Sequence, residues 1–228
     1  MKFDIQFRRS DSPLVETVWR TRTMVHNKSF ISTAASHWEM VVTRRLGKIT
    51  LSIRGPETVA SPAPIPNGDV EYIGIVFKHG AFLPQFPKSK LVNHAIHLPE
   101  SLKNRFDFLR KTWELPNFEN ADTFINKLVR ERWLAKDQIV DDVVTNGRSF
   151  EVSLRSIQRR FLYVTGLTYK TIQQIERARH ALSLLQSGVP IPETAYQAGY
   201  FDQPHLTRSL KLFAGQTPAE AINFASFE

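Results

Sequence analysis

The spacing of apolar positions divides this chain into two textures. Through about residue 100, apolar residues come in short runs rich in β-branched and aromatic side chains: Trp38–Arg44, Lys48–Arg54 and Glu71–Phe77. In the second run Ile49, Leu51 and Ile53 alternate with polar residues, the two-residue period that sends successive side chains to opposite faces of a strand. Gly47 lies in the short link between the first two runs and predicts a hairpin. Gly55–Gly68 holds four prolines. It reads as a loop or a sheet edge, because proline cannot donate to a ladder. Pro84 and Pro87 bracket a second irregular piece. An early helix is predicted over Pro13–Arg22, with Ser12 as its cap.

From Asn120 the period becomes helical. Ala121–Trp133 places Phe124, Ile125, Leu128 and Val129 at helix spacing, and Asp137–Thr145 predicts a shorter helix that Asn146-Gly147 ends. Arg148–Glu151 reads as a turn. Ser153 then caps a helix, its hydroxyl accepting from the free N–H groups of the first turn. Leu154, Ile157, Phe161 and Val164 fall on one face of it, Arg155, Gln158 and Arg159 on another, and Gly166 breaks it. Thr168 caps the next helix, which runs to Ser187 with Ile172, Ile175, Ala178, Leu182 and Leu185 as its buried stripe. Gly188 and Pro190 end it. Pro192 sits in the first turn of a helix to Ala198, Gly199 supplies a turn, and Asp202 caps a helix over Gln203–Phe213. There Leu206, Leu210 and Phe213 face inward, while Gln203, His205, Thr207, Arg208 and Lys211 face out. Gly215 closes it, and Pro218 opens a last short helix. A short helix, a tight turn and a cationic helix therefore occur twice, with a long helix between the copies. At 1.5 Å per residue that helix is roughly 30 Å long, close to the roughly 34 Å between successive major grooves on one side of a duplex.

Composition sharpens this picture. Hydrophobic residues make up 42% of the 228 residues and charged residues 23%, ordinary values for a globular chain with a packed core. No apolar stretch is long enough to span a bilayer, and Met1–Arg9 lacks the apolar core of a signal peptide, so the expected location is the cytoplasm. The chain has no cysteine, which excludes disulfides, thiolate zinc sites and cysteine nucleophiles. The net charge of +8 favours polyanionic partners. Its sharpest concentration is Val152–Ala181, where Arg155, Arg159, Arg160, Lys170, Arg177 and Arg179 face Glu176 alone. Arg pairs with guanine through two hydrogen bonds and Gln with adenine, so Arg155, Gln158 and Arg159 are equipped to read a major groove. Periodicity alone leaves the alternative of a plain helical bundle with cations for solubility.

The residues themselves resolve this. Ser153–Phe161 followed by Gly166 resembles the first recognition helix of the AraC/XylS family of transcription regulators. Gly199–Arg208, followed by Phe213, Gly215, Thr217 and Pro218, resembles that family's second unit and closing signature. The resemblance covers about residues 137–224. It implies an α+β protein: a β-rich domain over residues 1–118, barrel or sandwich and cupin-like in the wider family, then an all-α domain over 119–228 with two helix-turn-helix subdomains joined by a long helix. It implies a sequence-specific DNA-binding transcription regulator, responsive to an effector through the N-terminal domain. The implied base-contacting positions are Arg155, Gln158 and Arg159 in the first unit, and Gln203, Pro204, His205 and Arg208 in the second, with Thr207 beside them. Pro204 departs from the family by lacking a side-chain donor. The helix before Ser153 is short, and Asp141-Asp142 puts acid close to the expected DNA. Ser36–Val42, Arg54–Thr58 and Gly74–Phe77 resemble a sensor domain fused to such modules.

The remaining chemistry is sparse. Histidines 26, 37, 79, 94 and 97 include His37-x-Glu39 and His94-x-x-His97, but spacing supplies no third ligand, so neither a metal nor a cofactor is expected. Trp38, Tyr72 and Phe77, with Trp19 and Phe82, are candidate effector-pocket residues or simply the β core. No phosphate loop, nucleophile elbow or Ser/His/Asp set occurs, so the chain is not expected to be an enzyme. The expected partners are double-stranded DNA, RNA polymerase, a small-molecule effector and a second copy of the chain, with no membrane. Two rival readings stand beside this: an enzyme in the N-terminal domain, and an interaction adaptor with a degenerate DNA module.

Overall fold

The computed structural model describes residues 5–25, 28–86, 90–102, 104–108, 110–147 and 152–226. The strands are β1 (Ile5–Arg8), β2 (Val15–Val25), β3 (Lys28–Ser32), β4 (Glu39–Arg45), β5 (Lys48–Arg54), β6 (Ser61–Ile65), β7 (Gly68–Phe77), β8 (Ala81–Phe82), β9 (Ala95–Leu102), β10 (Arg105–Phe108), β11 (Lys111–Glu114) and β12 (Ala135–Lys136). The helices are α1 (Ala121–Arg130), α2 (Gln138–Asn146), α3 (Leu154–Thr165), α4 (Tyr169–Gln186), α5 (Ile191–Gln197), α6 (Gln203–Ala214) and α7 (Pro218–Ser226). A β-rich region is thus followed by a helical one. The predicted turn at Arg148–Glu151, His26 and Pro87 lie outside the described residues.

The chain packs as two compact units whose segments interleave in sequence. One is built from Met1–Lys28, His37–Pro56 and Ile65–Leu167, the other from Ser29–Ser36, Glu57–Pro64 and Thr168–Glu228.

In the first unit eight strands form one sheet in the order β1-β2-β7-β4-β5-β9-β10-β11. The β4–β5 hairpin is the one its pattern predicts. Arg45 pairs with Lys48, leaving Leu46 and Gly47 as a two-residue loop with φ of 48° and 73°. That double positive φ suits the right-handed twist of the strands. Val42, Leu51 and Ile73 lie in register on one face, as do Met40, Ile53 and Ile75. All six are buried, in a core that continues through Phe106, Trp113, Phe124 and Leu128.

The helix predicted over Pro13–Arg22 is instead the long strand β2. The cause is a bulge. Val15 pairs with Phe77 but Thr17 pairs with Val76, so Glu16 is the extra residue. Strand parity shifts there, and Val15 and Val18, three apart, both reach the core at 3% and 0% exposure. A bulged strand thereby imitates helix spacing. Ser12 is buried at the entry to β2, its carbonyl accepting from Val15 N–H.

The same unit carries α1, α2 and α3. On α1, Phe124, Ile125 and Leu128 are buried while Val129 is 41% exposed, so the buried face is narrower than its sequence pattern implies. Strand β12 pairs with β8, and Asp137 N–H donates to the Gly80 carbonyl. This brings the start of α2 against Gly80, where a Cβ would lie 3.0 Å from the Asp137 carbonyl oxygen.

In the second unit α4 is a rod packed by α5, α6 and α7 around Ala181, Leu185, Leu206 and Leu210. Leu182 is only partly buried; Ala181, fully buried, takes the core position beside Leu185. Strands β3 and β6 form a two-stranded ribbon. Pro62 and Pro64 lie in β6, whose strand partner among the described residues is β3, so this part of the proline-rich stretch is a sheet edge, one of the two forms its composition allows.

Candidate nucleic-acid interface

Each of the two units presents one helix-turn-helix. In the first unit α2 begins at Asp137, whose carboxylate accepts from Val140 N–H at 3.0 Å, and ends at Gly147 in the left-handed conformation. The other carboxylate oxygen of Asp137 accepts from Arg160 at 2.5 Å. One buried side chain thus caps α2 and ties α3 to it. Ser153 caps α3 by accepting from Ser156 N–H, and Gly166, with φ of 78°, stops it. Phe161 and Val164 are buried and Ile157 partly so, as its stripe predicts.

Leu154 breaks that stripe: it is 79% exposed. It is the first residue of α3. Arg155, Gln158 and Arg159 are exposed, and among the described residues their side chains have no hydrogen bond or ion pair. Arg155 and Arg159 stand four residues apart, so their like charges face each other along the helix at a small cost in stability. Arg160, from the same basic run, is committed to Asp137. The acidic pair is occupied too: Asp141 takes Lys136 at 2.6 Å, and Asp142 accepts from Gln138.

In the second unit Gly199, with φ of 71°, makes the turn between α5 and α6. Asp202 caps α6 by accepting from His205 N–H at 2.7 Å, and Pro204 lies in the first turn, where its missing N–H costs nothing. Leu206, Leu210 and Phe213 are buried. Gln203, Pro204, Arg208 and Lys211 are exposed. His205 and Thr207 are half-buried: His205 meets the Tyr200 ring edge-on at 5.1 Å, and the Thr207 hydroxyl donates to the Gln203 carbonyl. Neither is as available as Arg208, which has no hydrogen bond or ion pair among the described residues.

A concavity of about 230 Å³ lies between α4 and α6, lined by Gln174, Arg177, Tyr200, His205, Arg208 and Ser209 among others, with no carboxylate among its lining residues. The Arg177 guanidinium lies over the Tyr200 ring at 5.7 Å and reaches the Gly199 carbonyl at 3.5 Å. Burial pushes the Tyr200 phenol above its usual range, so it stays neutral and shares a hydrogen bond with Ser209 at 2.8 Å. Gln174 and Arg177 were not singled out as site residues from sequence. They sit on the long helix, and only its packing against α6 sets them beside Arg208.

The three effector candidates do not converge. Trp38 and Phe77 stack at 3.8 Å inside the sheet core, and Trp38 Nε1–H donates to the Ala81 carbonyl. Tyr72, five residues from Phe77 on β7, belongs to the opposite face of the sheet. The cavity beside Trp38, bounded by Phe82, Leu83, Phe86, Leu91 and Val164, measures about 20 Å³, room for a single water. Glu39 takes Arg54 and the Trp19 indole N–H, His37 donates to the Phe77 carbonyl at 2.7 Å, His94 donates to the Val92 carbonyl, and His97 bonds Ser52. Among the described residues no helix is long and apolar enough to cross a membrane.

Residues 147–223 match the family model for a helix-turn-helix domain. No curated protein matches the chain. Among solved structures, the crystal structure of ToxT from Vibrio cholerae O395 is 11% identical with a TM-score of 0.43, over 97% of this chain and 98% of that one. A second ToxT structure from Vibrio cholerae, in the P21 form, is 10% identical with a TM-score of 0.41, over 99% of each chain. ToxT from the O395 strain bound to (E)-4-(8-methylnaphthalen-1-yl)but-3-enoic acid is 9% identical with a TM-score of 0.40, over 98% of each chain.

Proposed function

We propose that the chain is a DNA-binding transcription regulator with an AraC-type helix-turn-helix domain in its C-terminal region, in which α3 and α6 each read one part of a two-part operator. One observation carries this reading: both helices are capped at the end where a recognition helix meets bases, and Arg155 and Arg159 on α3 and Arg208 on α6 are exposed with no ion pair or hydrogen bond among the described residues. Such cations are stabilised by a polyanion, and the exposed face of a recognition helix is the one that meets base edges in a major groove.

Roles follow from exposure. Arg155 and Arg159 are the guanine readers of the first part, Gln158 pairs with adenine or a phosphate, and the exposed Leu154 meets a thymine methyl group. In the second part Gln203 and Arg208 read bases. Pro204 offers a shape contact only. His205 and Thr207, both half-buried, serve the backbone. Arg177 and Gln174 receive a phosphate at the concavity beside Arg208. Recognition, not catalysis, is the chemistry these residues support. As a regulator the chain acts on RNA polymerase at the promoter. Each copy brings two reading helices, so one copy engages a two-part site and a dimer engages two such sites.

The test is selection of bound duplexes from a random pool, then affinity measured at fixed salt for Arg159→Ala and Arg208→Ala. Each should weaken specific binding by about 1–3 kcal/mol and relax base preference in a different part of the selected site. Unchanged affinity and preference in both variants would sink the assignment.

A further inference from the structure

The carbonyls at the C-terminal end of a helix lack partners within it and must find donors elsewhere. On α6 two of them are filled from the N-terminal half of the chain. Ala34 N–H donates to the Phe213 carbonyl at 2.7 Å, and Ala60 N–H donates to the Leu212 carbonyl at 2.9 Å. Both donors flank the β3–β6 ribbon. The ribbon is closed by Ala35 and Glu57, which exchange backbone hydrogen bonds at 2.9 and 2.8 Å, and by the Ser32 hydroxyl, which donates to Glu57. The Ser36 hydroxyl donates to Glu176 on α4. Ala34 is fully buried. Gly215, which ends α6 with φ of 69°, is exposed but closely approached by the same ribbon: a Cβ there would lie 2.6 Å from Ile31 Cγ2 and 3.2 Å from Ala60 Cβ.

We infer that residues 29–36 and 57–64 are a positioning part of the second DNA-reading unit, seating α6 so that Gln203 and Arg208 meet the operator. The inference rests on α6 being a reading helix. The second helix-turn-helix is then not self-contained. Its reading helix is capped at one end by its own Asp202 and at the other by segments that precede and follow the β4–β5 hairpin in sequence. No ribbon hydrogen bond of this kind reaches α3 among the described residues, so disturbance of the ribbon should act on one half of the operator only.

The experiment uses the full chain and three duplexes: the selected operator and two versions with one part scrambled. Gly215→Ala adds a methyl group that meets Ile31 and holds alanine at an unfavourable positive φ. It should weaken binding to the part read by α6 about tenfold and leave the part read by α3 unchanged. Adding Ile31→Ala removes the clashing methyl group and should restore several-fold of that loss, a rescue that mere loss of helix stability would not give. No loss, a loss shared equally by both parts, or no rescue would each overturn the inference. Arg208→Ala is the reference: if it too has no effect, the reading of α6 itself has failed. If it weakens binding while Gly215→Ala does not, only the ribbon's role has failed. Should Gly215→Ala not fold, amide exchange in the unaltered chain decides. Slow exchange at Ala34 and Ala60, free and on DNA, supports the seat, and exchange at the rate of open loops at either amide on the operator refutes it.

Discussion

Single side chains in this molecule are assigned by what they already hold. Arg160 belongs to the basic run of α3, yet its guanidinium is bound to Asp137. Arg155 and Arg159, with the same composition around them, are exposed and have no ion pair among the described residues. Sequence cannot make that distinction, because all three arginines lie within one and a half turns. Asp122 is a residue whose energetics can be tested directly. Burial raises its pKa, but the Ser10 hydroxyl and the Arg8 guanidinium, the latter at 2.7 Å, more than offset this and hold the carboxyl below its ordinary value. A depressed carboxyl pKa contributes stability that is present above the unfolded pKa and lost as pH falls through the folded one. Asp122→Asn should therefore cost about 1–2 kcal/mol at neutral pH. Urea titrations at several pH values should show the difference from the unaltered chain closing below about pH 4.

At the scale of elements, caps and register explain most of the agreement between pattern and structure. Ser153, Thr168 and Asp202 each accept from the backbone N–H three residues on, as their positions before apolar-periodic runs predict. The α2–α3 pair depends on Asp137 for both a cap and an ion pair. Asp137→Ala should destabilise the first unit by about 1–2 kcal/mol, most of it from the cap. Asp137→Asn keeps an acceptor and loses only the bridge to a half-exposed arginine, worth less than about 1 kcal/mol. Chemical denaturation of the two variants separates these contributions; equal losses would mean that the ion pair, not the cap, dominates. The misread element is β2. Its apolar spacing follows a bulge, and a bulge exists only in relation to the partner strand.

At the scale of the whole molecule, the charge of +8 should make binding steeply salt-dependent. The slope of log affinity against log salt reports how many phosphates are neutralised. Arg177→Ala should reduce that slope by about one without changing the preferred sequence, whereas Arg159→Ala should change the preference. A full-strength slope in the Arg177 variant would remove the concavity from the interface.

The local code determined a great deal here. Helix starts, helix stops and the inward stripes of α4 and α6 are set by side chains within a turn or two of one another, so a window of sequence contains their causes. The β4–β5 hairpin is legible for the same reason: its turn residues and alternation are contiguous. The exposed faces of α3 and α6 follow from those stripes by exclusion, and the resemblance of their residues suggested the chemistry proposed for them. What the tertiary structure alone decided are pairings between distant segments: which arginine is consumed by Asp137, that Gln174 and Arg177 flank Arg208, that Leu154 is uncovered, and that Ala34 and Ala60 cap α6. Backbone donors carry no side-chain signature, so nothing in the residues around Ala34 or Ala60 marks them as partners of a helix end far along the chain. Their hydrogen bonds arise because orphan carbonyls must be satisfied by whatever backbone the fold brings within reach.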